Sequence, residues 1–298
     1  MKTDSAIPAP APTPAASARY RSRRVSPGSI VRYVLLTAIS VVMILPFVWM
    51  LSTSLKEPSD IFVFPPKWIP SPIRWANYSE VLDAIPFGRF YWNSVYIAAL
   101  VTVGTVLFAS LSGYAFARIP FVGRNAVFLL LLSTMMIPHE ATSIPMFLFM
   151  RELNFLNTHV PLIIVPIFGA GGVFGIFVMR QFFLTLPKEL EEAAMIDGCS
   201  RVGIYGRIML PLAGPAIATL TIFTFLTCWN EFYDPLIFLN DRNLMTIPLG
   251  LSLFTDEAGT AWHHLMAASV MATLPLLIVF FFAQKQFIAG VAMTGLKD

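Results

Sequence analysis

An all-α, membrane-embedded protein with six spans is the architecture these 298 residues point to, on three observations. The chain is 56% hydrophobic but only 12% charged, against roughly 25% charged residues in soluble domains. Its mean hydropathy of +0.71 fits a bilayer as solvent better than a large soluble core. Six apolar stretches approach the about 20 residues a helical span needs. Lysines and arginines alternate in density between successive connecting segments, as the positive-inside rule expects.

Residues 1–28 are rich in Pro, Ala and Ser and end in Arg19, Arg21, Arg23 and Arg24. Such a segment cannot bury enough apolar surface to fold alone, so it reads as a disordered tail ahead of a permease-sized domain at 29–298. Its arginines hold that end on the inner side. The apolar run that follows is long for a signal peptide and lacks a clean small-residue cleavage site, which makes it an uncleaved first span.

The predicted spans are Ile30–Leu51, Trp92–Ala117, Asn125–Met146, Val160–Arg180, Leu212–Phe238 and Leu265–Gln284. With the N-terminus inside, the inner segments carry 14 of the 20 Lys and Arg, including Arg118, Arg124, Arg180, Lys188, Arg201, Arg207 and Lys285. The outer loops carry Lys56, Lys67, Arg74, Arg89, Arg151 and Arg242. The opposite orientation reverses this bias, so both termini are expected in the cytoplasm. Net charge is +3, which gives no indication of nucleic acid. Cys199 and Cys228 fall in an inner loop and a span, and neither a disulfide nor a paired-cysteine metal site is expected.

Between two long apolar segments lies a polar, glycine-punctuated insert, Glu192–Pro215. Thr185 is placed to cap a first short helix, Pro187 to occupy its first turn, and Glu189, Glu191 and Glu192 to complement its positive end. Leu186, Leu190, Ala193 and Ala194 form a narrow apolar stripe at helical spacing. Gly198 ends that helix and Ser200 caps a second, in which Val202, Tyr205, Ile208 and Met209 share a face.

The spacing Glu192-Ala193-Ala194, three residues, Gly198, nine residues, Ile208, one residue, Leu210-Pro211 resembles the cytoplasmic EAA loop of binding-protein-dependent ABC importer permeases. Asn93-Ser94, Gly113–Arg118, Ile137-Pro138, Ile144-Pro145, Arg180–Phe183, Trp229–Phe232 and Ala289-Gly290 extend the likeness to nearly everything after Arg32. It is similar to the carbohydrate branch, in particular to the smaller membrane subunit of maltose transporters. Gly203 and Gly206 depart from the better helix formers that relatives carry there. The resemblance implies a type I importer-permease bundle with a cytoplasmic coupling helix. It implies a second, different permease subunit, two cytoplasmic ATPase subunits that bind ATP and Mg, and an external sugar-binding protein. The setting it implies is a bacterial inner membrane, with no cofactor on this chain. Its carried-over coupling residues are Glu191, Glu192, Ala193, Ala194, Asp197, Gly198, Ile208, Leu210 and Pro211.

Other constellations are weaker. Gly169-Ala170-Gly171-Gly172 and Gly175 lack the Lys-Ser/Thr of a phosphate loop, and Gly171 with Gly175 has the spacing of close helix packing. The chain is therefore expected not to hydrolyse ATP. Glu140, counted as 16 residues along a straight helix from Arg124, lies about 24 Å deep and is a pathway residue or an interfacial carboxylate. Trp229, Asn230 and Glu231 have the aromatic and polar character that binds sugars, against the alternative of an interfacial belt. His263-His264 reads as a solvated loop pair, because no carboxylate or Cys stands at ligand spacing in the sequence. An ion-driven transporter lacks an intramembrane ion pair here, and an intramembrane enzyme lacks any catalytic set.

Overall fold

The computed structural model describes residues 27–257 and 259–295, with side chains from 28 to 257 and from 259 to 282. Of the proposed tail at 1–28, residues 1–26 lie outside the described residues, whereas Pro27-Gly28 open the first helix; the side chains of Ala289 and Gly290 also lie outside them. The chain divides into two units, residues 1–47 and 48–298. In the first, the early turns of helix α1 (Pro27–Ser54) present exposed Ile, Val, Leu and Phe side chains along their length. That all-round apolar surface is what a lipid-facing span requires.

The second unit holds α2 (Ala76–Ala84), α3 (Phe87–Arg118), α4 (Arg124–Thr134), α5 (His139–Glu152), α6 (Val160–Phe168), α7 (Ala170–Thr185), α8 (Glu189–Ile196) and α9 (Arg201–Ile204). A π-helical turn at Tyr205–Met209 leads into α10 (Leu210–Leu212), α11 (Gly214–Trp229), α12 (Tyr233–Phe238), α13 (Ile247–Leu251) and α14 (Trp262–Gly295). A two-residue antiparallel pair, β1 (Thr255–Asp256) and β2 (Gly259–Thr260), precedes α14.

Among the described residues four helical stretches are long and apolar enough to cross a membrane: 28–54, 87–118, 160–185 and 262–282. Two bent pairs raise this to six. The first is α4 with α5, bent by 95°, and the second runs from Arg201 to Trp229, bent by 76° between α10 and α11. The six predicted spans therefore map onto four straight helical stretches and two bent pairs. Predicted span three breaks after Thr134, where Pro138 precedes α5 and disfavours helical geometry at Ile137. Predicted span five ends at Trp229 rather than Phe238, because Asn230–Phe232 leave the helix and α12 starts afresh.

α3 is the central post. Gly175 of α7 faces Ala109 of α3 and Leu220 of α11, and a Cβ there would meet Ala109 Cβ at 2.8 Å. Gly171 instead lies over the carbonyl of Pro166 at the α6–α7 break, so the two glycines do not share one packing seam. At the loop end, Tyr114, Met179, Phe183, Ile204, Tyr205 and Met209 make one buried cluster. At the opposite end a polar cap closes the bundle. Asn93 Nδ2 donates to the carbonyls of Asn243 and Met245, both at 3.0 Å, and Ser94 Oγ accepts from Ile247 N–H at 2.8 Å. This gives Asn93-Ser94 its structural role. Asn77 Nδ2 donates to the carbonyls of Ser54 and Lys56 at 2.9 Å each, tying the end of α1 to α2. The Lys56 ammonium lies 3.9 Å from the centre of the Trp49 ring. Burial pulls the Lys56 pKa down from its ordinary value, and Asp60 opposes that pull.

Candidate functional site

The loop end carries the segment that resembles the EAA loop. α8 begins at Glu189, and Thr185 does not cap it. Thr185 is the last residue of α7, and its hydroxyl donates back to Phe182 O at 2.7 Å. Three glutamates in the first turn supply the negative charge that its free N–H groups favour. At the other end Gly198 has φ +79°, Gly198 N–H donates to Met195 O at 3.1 Å and Cys199 N–H to Ala194 O at 2.9 Å. These two bonds make a Schellman termination and require the left-handed residue that glycine supplies at little cost. Ser200 then caps α9 by accepting from Gly203 N–H at 3.2 Å.

The two halves of the Glu-Glu-Ala-Ala run face opposite ways. Glu191 and Ala194 are buried, whereas Glu192, Ala193, Met195 and Ile196 are exposed. The predicted stripe is thus split: Leu186 and Ala194 pack inward, while Leu190 and Ala193 point away. Glu191 Oε1 lies 3.2 Å from Arg118 Nε, an ion pair by distance without hydrogen-bond alignment. Arg118 also donates to the carbonyls of Phe183 and Leu186, where α7 ends. One guanidinium therefore secures the end of α7, the entry to α8 and a buried carboxylate. Glu191 belongs to the foundation of the loop and not to its outer face.

The second short helix also departs from expectation. Val202 is 80% exposed, while Ile204, Tyr205 and Met209 are buried. The π-helical turn changes the register after Ile204, so α-helical spacing from Val202 no longer predicts the inner face. The Tyr205 hydroxyl lies 2.7 Å from Ser110 Oγ, anchoring this turn to α3. Ile208 and Leu210 are half-buried against the same core, Pro211 lies at the start of α10, and Asp197 is the exposed C-cap of α8.

Deeper in the bundle is a cavity of about 590 Å³, within the usual range for small-molecule sites. The broken elements line it: the ends of α4 and α5, the Gly169–Gly171 break, and the α11–α12 junction. His139, Glu231 and Asp234 give it ionisable groups, and Thr105 and Thr246 line it with buried hydroxyls that have no hydrogen-bond partner. His139 Nε2 is 2.8 Å from Asp234 Oδ1. The Glu231 Oε1 atom accepts from the N–H groups of Tyr233 and Asp234 at 2.9 and 3.2 Å, satisfying the first turn of α12.

Of the four sequence-derived pathway residues, only Glu231 lines this cavity. Trp229 is buried against α14, with its Nε1–H donating to Ala272 O at 3.2 Å. Asn230 is exposed and donates to Leu226 O at 2.8 Å. Glu140 is exposed and off the cavity wall, and its depth estimate fails because the helix it was counted along bends by 95°. His139 and Asp234, neither of them among those four, lie 95 positions apart and meet here. Their one sequence signal is a polar residue beside a proline in an apolar run: Pro138-His139 and Asp234-Pro235.

Comparison with known proteins gives a consistent picture. The chain is 40% identical over 233 residues to the arabinooligosaccharides transport system permease protein AraQ of Halalkalibacterium halodurans, covering 76% of this chain and 81% of that one. It is 34% identical over 261 residues to the trehalose/maltose transport system permease protein MalG of Thermococcus litoralis, covering 87% and 93%. In fold it resembles a chain from the crystal structure of a bacterial ABC transporter involved in alginate import, with a TM-score of 0.77 at 24% identity, over 90% of this chain and 99% of that one. The type I permease fold expected from the sequence is thus present. Residues 105–292, which take in the EAA-like segment and the cavity-lining helices from α3 onward, match the family described as "binding-protein-dependent transport system inner membrane component". This chain belongs to that family, a multi-pass membrane component of an importer and not an enzyme.

Proposed function

We propose that the chain forms one half of the membrane pathway of an ATP-driven sugar importer and engages a cytoplasmic ATPase through α8. The observation that carries this reading is the outward face of α8 and α9. Ile196 is 87% and Val202 80% exposed, with Glu192, Ala193 and Met195 beside them, on a polar segment locked from below by Arg118. Apolar side chains held outward on a rigid polar base have the character of an interface core. The Lys and Arg distribution supports a cytoplasmic position for this face and for both termini.

On this reading two ATPase subunits bind ATP and Mg, and the nucleotide chemistry lies on them and not on this chain. A second permease subunit of different sequence completes the pathway, and an external binding protein delivers the substrate. ATP-driven closure of the ATPase pair pulls on α8. The pull passes through the Arg118–Glu191 contact to α3, and the two permeases rock between inward- and outward-facing states. Relatives named for arabinooligosaccharide and trehalose/maltose transport support a carbohydrate substrate. The threonines, His139 and carboxylates of the cavity supply donors and acceptors suited to sugar hydroxyls.

The test is Glu192→Lys. Its side chain is exposed, so the fold is expected to be unaffected. If its partner is basic, reversal turns attraction into repulsion, at an interface where breaking one charge pair costs roughly 2–5 kcal/mol. Co-purification of ATPase and transport in vesicles are both expected to fall at least tenfold. A compensating acidic residue on the ATPase restores part of the loss. Normal co-purification and transport overturn the assignment of this face.

A further inference from the structure

We propose that Glu80, His263 and His264 form a binding site for a divalent transition metal of the zinc class, which clasps α2 to the first turn of α14. The sequence places the carboxylate 184 positions from His264, so the cluster exists only in the fold. Glu80 Oε2 lies 2.9 Å from His264 Nε2, and the His263 and His264 ring centres are 4.0 Å apart. One ligand atom from each residue lies within 4.8 Å of the other two. Among the described residues this is the group of three His, Cys, Asp or Glu side chains that converges so closely.

The geometry is that of a site slightly open. Zinc bonded at about 2.0–2.1 Å in a tetrahedron sets its ligands about 3.4 Å apart. Closing to that separation requires a rotamer adjustment within this half-buried cluster. Two imidazoles and a carboxylate match the borderline-soft preference of zinc, and three protein ligands leave a fourth position open to water. Neighbouring helical residues point about 100° apart, so sequence adjacency alone does not bring two histidines onto one carboxylate. Arg74 fixes that carboxylate from behind. Its Nη2 donates to Glu80 Oε1 at 2.6 Å, leaving Oε2 for the imidazoles. An outer partner of this kind orients a ligating carboxylate. The positive charge of Arg74 also weakens the affinity, so a micromolar site is expected rather than a structural zinc of the tightest kind. A cation here ties the cap end of the bundle to the last span, a role distinct from the coupling face of α8.

The experiment uses the full chain in detergent, carrying a tag without histidine, stripped with chelator and titrated with zinc chloride. One zinc per chain is expected, with a higher Tm. The double variant Glu80→Gln/His264→Gln is expected to bind at least tenfold more weakly. A second readout needs no variant: zinc is expected to protect His263 and His264 from acylation by diethyl pyrocarbonate, mapped by mass spectrometry, without protecting His139 or His159. No binding up to 100 µM zinc, equal binding by wild type and double variant, or equal acylation with and without zinc overturns the proposal. If the double variant does not stay monodisperse, the protection experiment decides alone.

Discussion

Each end of the bundle holds a buried carboxylate with a basic partner, and the two pairs are set differently. At the loop end Glu191 meets Arg118, with both side chains at or below 10% exposure. At the cavity Asp234 is 8% exposed, but its partner His139 is 47% exposed. The first pair is sealed and permanently cationic on one side, because arginine does not deprotonate in proteins. The second has one buried and one open member. A sealed pair transmits force between elements, and a half-open pair is available to a ligand. The two ends of one helical bundle thus use the same chemistry for rigidity in one place and for contact in the other.

The largest expected effect tests the sealed pair. Arg118→Ala leaves Glu191 buried without a cation and removes a donor from the carbonyls of Phe183 and Leu186. Breaking a buried pair this way costs about 3–5 kcal/mol. Thermal unfolding of the detergent-solubilised chain is expected to show a clear loss, and ATPase co-purification to fall with it. Arg118→Lys retains the charge but not the fork, and is expected to recover only part of the loss. An unchanged Tm for Arg118→Ala removes the distinction between the two ends.

The open pair is expected to behave otherwise. Asp234→Ala leaves His139 without its buried partner, at a cost of about 1–3 kcal/mol. His139 is half exposed, so solvent compensates for part of this. The variant is expected to assemble with its ATPase at normal yield while transport falls. Loss of assembly in step with transport makes this pair structural as well.

These two pairs also show where the sequence is informative. Gly198 and Ser200 act within four residues of themselves, through a left-handed turn and a cap, so their roles are legible from spacing alone. Which face of an eight-residue helix turns inward is not a local property. Glu191 and Glu192 are neighbours of one kind, and only Arg118, 73 positions earlier, selects the buried one. The π-helical turn defeated the assignment of Val202 for a related reason. Regular periodicity assumes one helix type; it places Tyr205, Ile208 and Met209 inward, as they are, but groups Val202 with them, and Val202 is exposed. The spans were found because apolar length is a bulk signal, yet two bends were missed. A proline in an apolar run marks a weak point without saying how far the helix turns there.

Gly198→Val is expected to have a smaller, local effect. A side chain at φ +79° costs about 1–2 kcal/mol, more for a β-branched residue. Nothing lies within 4 Å of a Cβ at this position, so the cost is backbone strain and not a clash. Because the strain is confined to the α8–α9 turn, insertion of the spans is expected to be normal and ATPase docking weakened. No charge change on the ATPase repairs it, which separates this defect from that of Glu192→Lys. Gly198→Asn, which tolerates the left-handed conformation, is expected to be milder.

The smallest expected effect belongs to Glu140, and it sharpens the contrast most. Glu140 and His139 are adjacent at the start of α5, and on a straight span both fall at one depth. The 95° bend separates them by environment: His139 lines the cavity and meets Asp234, whereas Glu140 is exposed and accepts no cation within ion-pair distance among the described residues. Its carboxylate sits in the first turn of α5, where the helix dipole favours negative charge by about 0.3–1 kcal/mol. Glu140→Gln therefore changes stability by about 0.5 kcal/mol or less, and leaves transport at its wild-type rate. His139→Gln, one residue away, is expected to lower transport as Asp234→Ala does, since both leave the same pair incomplete. Reconstituted vesicles carrying each variant decide the matter by initial uptake rate. If Glu140→Gln impairs transport as much as His139→Gln, the bend does not separate the two residues in the working protein, and the cavity extends to the outer face of α5.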